Sequence, residues 1–197
     1  MASQLIHITL PDGTRKQVPT GCTVRDALTP QGGRLDGKIL AAKIDGVPMD
    51  LFHTLEHDAT VEPLTFESAE GREVYRHSST HIMAQAVKEV FPTAQLTIGP
   101  ALEDGFYYDF AFDRPFTPED LEKIEARAIE ITKRGLSVSR SELSKEEAIK
   151  FFQDRGEAYK VELINSFEDG SPISLYRQGE FVDLCRGPHL PSTGYVG

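Results

Sequence analysis

Apolar residues recur along this chain in two rhythms, and the change of rhythm marks its elements. Ile6, Ile8 and Leu10 alternate with His7 and Thr9, the pattern of a half-buried strand. Pro11-Asp12-Gly13 is a turn signal, so Thr14 to Val18 is expected to return as the second strand of a hairpin. Thr23 stands before Val24, Ala27 and Leu28, which predicts a short helix with a threonine cap. Ile39 to Ile44 reads as a strand closed by the Asp45-Gly46 turn. Leu55, Ala59, Val61 and Leu64 read as a final short strand. A hairpin, a helix and further strands within residues 1–64 predict a ubiquitin-like β-grasp.

From Glu67 the apolar period lengthens. Ala69, Val74, Ile82, Ala86 and Val90 can share one face of a long helix, which Pro92 stops. In LTIGPALEDGFYYDFAF, the Gly99-Pro100 and Asp104-Gly105 steps are turns between strand-forming aromatic stretches. Thr117-Pro118-Glu119-Asp120 opens a second helix with a cap, a proline at its first position and early acids. Leu121, Ile124, Ala128 and Ile131 supply its apolar face, and Gly135 ends it. Val138 to Leu143 is expected as a strand, and Ser144 caps a helix through Phe152, with Glu147 at the capping-box position. Val161 to Ile164, Ile173 to Tyr176 and Glu180 to Leu184 complete the expected strands. The expectation is an α+β protein of two domains, 1–64 and 65–197.

Composition narrows the class. Of 197 residues, 39% are hydrophobic, enough for packed cores and too many for a disordered chain. No run of apolar residues is long enough for a membrane span, and no secretory signal pattern is visible at the start. Cys22 and Cys185 are far apart and read as reduced thiols of a cytoplasmic protein. The net charge of −10 argues against non-specific nucleic-acid binding over the whole surface, although a local basic patch remains compatible with it.

Two short-spaced pairs carry the candidate chemistry. His77 and His81 lie four residues apart on the long helix, so they project from one face. Cys185 and His189 are separated by Arg-Gly-Pro, which forbids a regular helix and predicts a shaped loop after a strand. Taken alone, each pair is common on ordinary surfaces. Together, three imidazoles and a thiol suit Zn²⁺, or a metal-free polar pocket that orients a water. His53 and His57 are also four apart, but their loop-like setting beside Asp58 reads as solvated polar surface.

The segments ITLPDGTRKQVPTGCTVRDAL and AAKIDGVPMDL resemble the TGS domain of threonyl-tRNA synthetases and some GTPases. RHSSTHIMAQAVKEVFP, IGPALEDGFYYDF, RGEAYKVEL and EFVDLCRGPHLP closely resemble the editing domain of bacterial threonyl-tRNA synthetases. Related domains occur in alanyl-tRNA synthetases and freestanding alanyl-tRNA deacylases. The resemblance implies a TGS-like β-grasp followed by an editing domain, here truncated at its C-terminal end. It implies a pocket lined by His77, His81, Cys185 and His189, with Lys160 as a further catalytic residue and Tyr108 and Asp183 as substrate-binding residues. In the alanyl relatives the equivalent four residues hold zinc. The threonyl resemblance implies that none is required, with ATP, magnesium and zinc serving a synthetic domain outside this sequence.

The implied function is hydrolysis of seryl-tRNA(Thr), while a whole enzyme attaches threonine to tRNA(Thr). The implied partner is the charged tRNA 3′ end, and the whole enzyme is expected to be a homodimer through its catalytic core. Two alternatives stand beside this reading. One is a freestanding trans-editing deacylase, and the other a TGS-linked RNA-binding module without catalysis.

Overall fold

A computed structural model describes residues 4–99, 101–102, 104–168, 170 and 172–197. It divides into two compact units, Met1–Tyr75 with Gly187–Pro191, and Arg76–Arg186 with Ser192–Gly197.

The first unit opens with the hairpin β1 (Leu5–Thr9) and β2 (Arg15–Pro19), antiparallel with Ile6 opposite Val18. Its alternation is real: Ile6 and Ile8 are buried while Leu5 and His7 face outward. β3 (Cys22–Thr23) leads into α1 (Val24–Leu28). The Thr23 hydroxyl accepts from the Asp26 N–H in a capping box, so one threonine sets the start of this helix. β4 (Ile39–Ile44) turns at Asp45-Gly46 into β5 (Val47–Met49), and β6 (Thr54–Leu55) pairs with β3. β7 (Ala59–Thr65) enters the middle of a sheet ordered β2-β1-β7-β4-β5, parallel to β1 and antiparallel to β4. Leu55 is therefore on its own short strand, apart from Ala59, Val61 and Leu64. Val24, Ala27 and Leu28 of the helix pack with Ile6, Ile8, Ala42 and Val61 of the sheet and with Leu51 of the turn after β5. A helix packed against a mixed sheet with a central parallel pair is the β-grasp arrangement expected for this stretch.

α2 (Ala69–Val90) is the long helix. Val74, Ile82 and Ala86 are buried as its apolar spacing requires, whereas Ala69 is exposed and Val90 half-buried. Between Ser78 and Val87 the helix is buried on almost every side, and Ser78, Thr80, His81 and Gln85 are among the residues it buries. Buried polar groups require partners, and Ser78, His81 and Gln85 fall within about 60° of one another round the helix, the first structural sign of a site.

β8 (Gln95–Leu96), β9 (Ala101–Leu102), β10 (Gly105–Phe106) and β11 (Phe110–Ala111) form two small ladders, β8 with β11 and β9 with β10. The expected turn at Gly99-Pro100 falls partly outside the described residues, because Pro100 is not among them. α3 (Pro118–Arg134) begins at a Thr117 capping box and ends at Gly135 in the left-handed conformation, as its sequence signals require. Ile124 and Ile131 are buried with Ile82, Ala86 and Val87 of α2. Leu121 is instead 57% exposed. It lies about 80° round the helix from Ile131, at 100° per residue, beyond the packed face.

β12 (Val138–Leu143), α4 (Lys145–Gln153), α5 (Ala158–Asn165), β13 (Ile173–Gln178) and β14 (Phe181–Leu184) complete the second unit. The three strands form an antiparallel sheet in the order β12-β13-β14. The strand expected at Val161 to Ile164 is part of helix α5. Four residues with apolar ends fit either structure, and here packing decides. Ile164 buries against Ala148 and Phe152 of α4 and Ile173 and Leu175 of β13, with Val161 alongside. Among the described residues, no helix is long and apolar enough to cross a membrane.

Candidate functional site

The middle of α2 presents His77 and His81 four residues apart, with their rings edge to face at a centroid distance of 5.4 Å. β14 ends at Leu184, and the chain leaves the sheet at Cys185. There the Cys185 Sγ lies 3.1 Å from His77 Nε2. The ligand atoms of His77, His81 and Cys185 all fall within 4.8 Å of one another. The helical pair and the thiol, 108 residues apart in sequence, thus meet in one place.

Burial sets the electrostatics. His81 is 5% exposed, and loss of solvent pushes its pKa down to about 3. Asp183 opposes that shift, while His77 and Lys160 add to it. Its imidazole is therefore neutral at physiological pH and can accept a hydrogen bond or a metal. Imidazole and thiolate donors are chemically suited to zinc. Tetrahedral ligands at zinc–nitrogen and zinc–sulfur distances stand about 3.5 Å apart, close to the 3.1 Å between Cys185 Sγ and His77 Nε2.

A second group lies beside the first. Lys160, on the first turn of α5, donates from Nζ to Thr97 O at 2.9 Å and to the Tyr108 hydroxyl at 3.3 Å, and pairs with Asp183 Oδ1 at 2.7 Å. The Tyr108 hydroxyl donates to Asp183 Oδ2 at 2.9 Å, and the Leu184 N–H to Asp183 Oδ1 at 2.8 Å. Lys160 and Asp183 are almost fully buried. Three acceptors surround the ammonium and three donors the carboxylate, which is what a charge pair needs inside a protein. Burial and the neighbouring Asp183 push the Tyr108 hydroxyl far above its usual range, so it stays a donor. Gly99 makes room for this tyrosine: a Cβ there would lie 2.1 Å from the Tyr108 ring.

His189 belongs to the first unit. It is buried at 2%, and its backbone N–H donates to Asp50 Oδ1 at 2.7 Å. Cys22 and Cys185 are both free thiols. His53 and His57 are exposed, in line with their reading as solvated surface.

Sequence reasoning missed the polar residues that hold this site. Gln178 of β13 donates to the backbone carbonyl of His81 at 3.2 Å and to Gln85 Oε1 at 2.8 Å. Ser174 of the same strand bonds the carbonyl of Cys185 through its hydroxyl. The sequence shows only that Ser174, Tyr176 and Gln178 alternate with Ile173 and Leu175; that both sets are buried appears in the structure alone. A strand covered on both faces must satisfy its polar face internally.

A cleft of about 750 Å³ in the same unit is lined by Leu163, Phe167, Ile173, Ser174, Cys185 and Arg186, among others. It reaches the site at Cys185, and its lining mixes apolar and polar residues.

Comparison with known proteins agrees with this picture. The TGS domain profile matches residues 6–65, and that of the threonyl and alanyl tRNA synthetase second additional domain matches residues 173–197. The threonine–tRNA ligase of Symbiobacterium thermophilum is 54% identical over 194 residues, 98% of this chain and 30% of the relative. The chain is homologous to one region of threonine–tRNA ligases. The enzymes so named from Acidithiobacillus ferrooxidans and Hahella chejuensis are 52% and 50% identical, each over 96% of the chain and 30% of the relative. The chain thus spans about 30% of the length of these relatives and corresponds to their TGS and editing-associated region.

Proposed function

We propose that this chain carries the proofreading site of a threonine–tRNA ligase and hydrolyses seryl-tRNA(Thr). The observation that carries the reading is the meeting of His77, His81 and Cys185, in a chain whose relatives are named threonine–tRNA ligase. Such an enzyme has a physical need for the site. Serine is threonine without one methyl, and a pocket that fits threonine rejects the smaller residue by only about 1–3 kcal/mol. A second pocket can exclude the larger residue by steric overlap.

The reaction requires a water, an acceptor for its proton and a proton for the leaving oxygen. The water oxygen attacks the ester carbonyl carbon, its proton passes to an imidazole, and the carbon–oxygen bond to the terminal ribose breaks. The ribose oxygen takes up a proton, leaving free serine and tRNA. His81 holds a proton poorly at its depressed pKa and suits orientation of the water. His77, half-buried beside the thiol, suits the transfer. Cys185 shapes the pocket and needs no covalent intermediate. The family resemblance adds His189, four residues beyond Cys185, to the set.

Tyr108 and Asp183 form the proposed substrate side, where a seryl ammonium would take over the bond that the Tyr108 hydroxyl makes with Asp183. Lys160 already faces three acceptors, so its part in hydrolysis runs through the placement of Asp183 and Tyr108. No step calls for a metal.

The test is single-turnover hydrolysis of seryl-tRNA(Thr) and threonyl-tRNA(Thr), at low salt and high protein concentration, with and without chelator. Serine release should be much the faster, and chelator should leave it intact. Replacing His77 or His81 by Ala should slow it. Equal rates for both substrates would sink the proposal, and loss of activity with chelator would show that zinc is required.

A further inference from the structure

β13 presents Ser174, Tyr176 and Gln178 on one face, since residues two apart in a strand share a side. All three are buried. Their two ends reach the two halves of the thiol–imidazole group. At one end, the Ser174 hydroxyl donates to the Cys185 carbonyl, and the Cys185 N–H donates to the Ser174 carbonyl at 3.2 Å. Cys185 is the first residue beyond β14, and its N–H bond to the Ser174 carbonyl continues the β13–β14 register by one step. Ser174 therefore holds Cys185 at both its N–H and its carbonyl, the carbonyl through the side-chain hydroxyl.

At the other end, the Gln178 amide donates to the His81 carbonyl and to Gln85 Oε1, one turn along α2. Gln85 Nε2 donates onward to Glu89 Oε1 at 2.7 Å. These amides are 5% and 1% exposed, so a slip of α2 along the strand would leave them without partners inside the protein. Apolar contacts alone fix such a slip weakly, because one methyl-sized neighbour can replace another. Side chains on a helix lean towards its N-terminus, so a hold on the His81 backbone points its ring back towards His77.

We propose that Ser174 and Gln178 are positioning residues, and that β13 sets the distance between the Cys185 thiol and the imidazoles of α2. Neither touches substrate in this proposal. The consequence for hydrolysis rests on the deacylase reading above, whereas the geometric claim does not. Placement errors of about 1 Å in a reacting group can cost on the order of 100-fold in rate.

The experiment compares the full chain with its Ser174→Ala, Ser174→Thr and Gln178→Met variants. Imidazole nitrogen resonances report geometry, and single-turnover serine release reports rate. Ser174→Ala should shift the His77 resonances and lower the maximal rate about 10-fold or more, with the half-saturating tRNA concentration little changed. Ser174→Thr keeps the hydroxyl and should restore both. Gln178→Met should shift the His81 resonances; should that variant fail to fold, the serine pair decides. Unmoved resonances in folded variants would overturn the proposal. So would moved resonances with an unchanged rate, which would leave the deacylase reading standing. An inactive parent chain would instead count against the deacylase reading, and the spectra would still decide whether β13 sets the geometry.

Discussion

A lysine surrounded by three acceptors inside a protein cannot lose one of them without consequence. Lys160 meets Asp183, Tyr108 and the Thr97 carbonyl, with its side chain 4% and that of Asp183 2% exposed. Replacing Asp183 by Asn keeps the shape and removes the charge, leaving a buried ammonium without its counter-ion. Breaking such a pair from one side costs roughly 3–5 kcal/mol. Urea unfolding of Asp183→Asn should show a loss on that scale. Adding Lys160→Met to it should recover part of the loss, because the orphaned charge goes too. A single variant as stable as the parent would show that water reaches the pair and that it is not buried in solution. At this scale the sequence was partly legible. The spacing His77-x-x-x-His81 and the loop residue Cys185 pointed to one site from residue type alone, and the helix and the strand end bring them together. Ser174, Gln85 and Gln178 were not legible, since an amide or hydroxyl looks the same in sequence whether it faces water or a neighbouring carbonyl.

Elements were legible where local chemistry fixes their ends. Thr23, Thr117 and Ser144 each cap a helix through a capping box, and each was visible as a cap. The element misread was α5, whose first residues carry no such mark: Glu157 stands at its N-cap without a side-chain hydrogen bond. Its four apolar-ended residues fit two periods, and only the contacts with α4 and β13 select the helix. The start of α3 also carries a pH-sensitive contact. Asp120 accepts from Arg114 and from the Thr117 N–H, and these bonds hold its carboxyl well below the ordinary value of 3.8. A carboxyl whose pKa is depressed by folding stabilises the fold above its unfolded value and loses that contribution as acid protonates it. The Asp120→Asn variant should therefore melt below the parent at neutral pH. The gap should narrow as pH falls below the usual carboxylate range. Thermal melts from pH 7 to pH 2 would show it, and a gap independent of pH would assign the effect to shape instead of charge.

At the scale of the molecule, hydrophobic rhythm separated a β-grasp from an α+β unit, because strands and helices bury residues at different periods. What the periods could not convey is that Gly187–Pro191, late in the chain, packs with the first unit, a consequence of contacts such as His189 to Asp50 that no local pattern announces. Charge, by contrast, can be read from sequence directly, and it bears on how the substrate is held. Binding to the phosphate backbone draws on Lys and Arg that displace counterions, and a chain with 21 of these against 31 Asp and Glu has little to offer a long polyanion. The proposed pocket instead meets the seryl group and the terminal ribose, which are small and carry little of the charge. Cutting the substrate from whole seryl-tRNA(Thr) to a seryl acceptor-stem minihelix should then change kcat/KM of this chain only slightly, and the loss of rate on adding salt should be shallow for both. The comparison is made by measuring serine release from the two substrates across a salt series. A steep fall with salt for the whole tRNA alone would mean that a basic surface of this chain grips the tRNA body, and that net charge misjudged how recognition is shared.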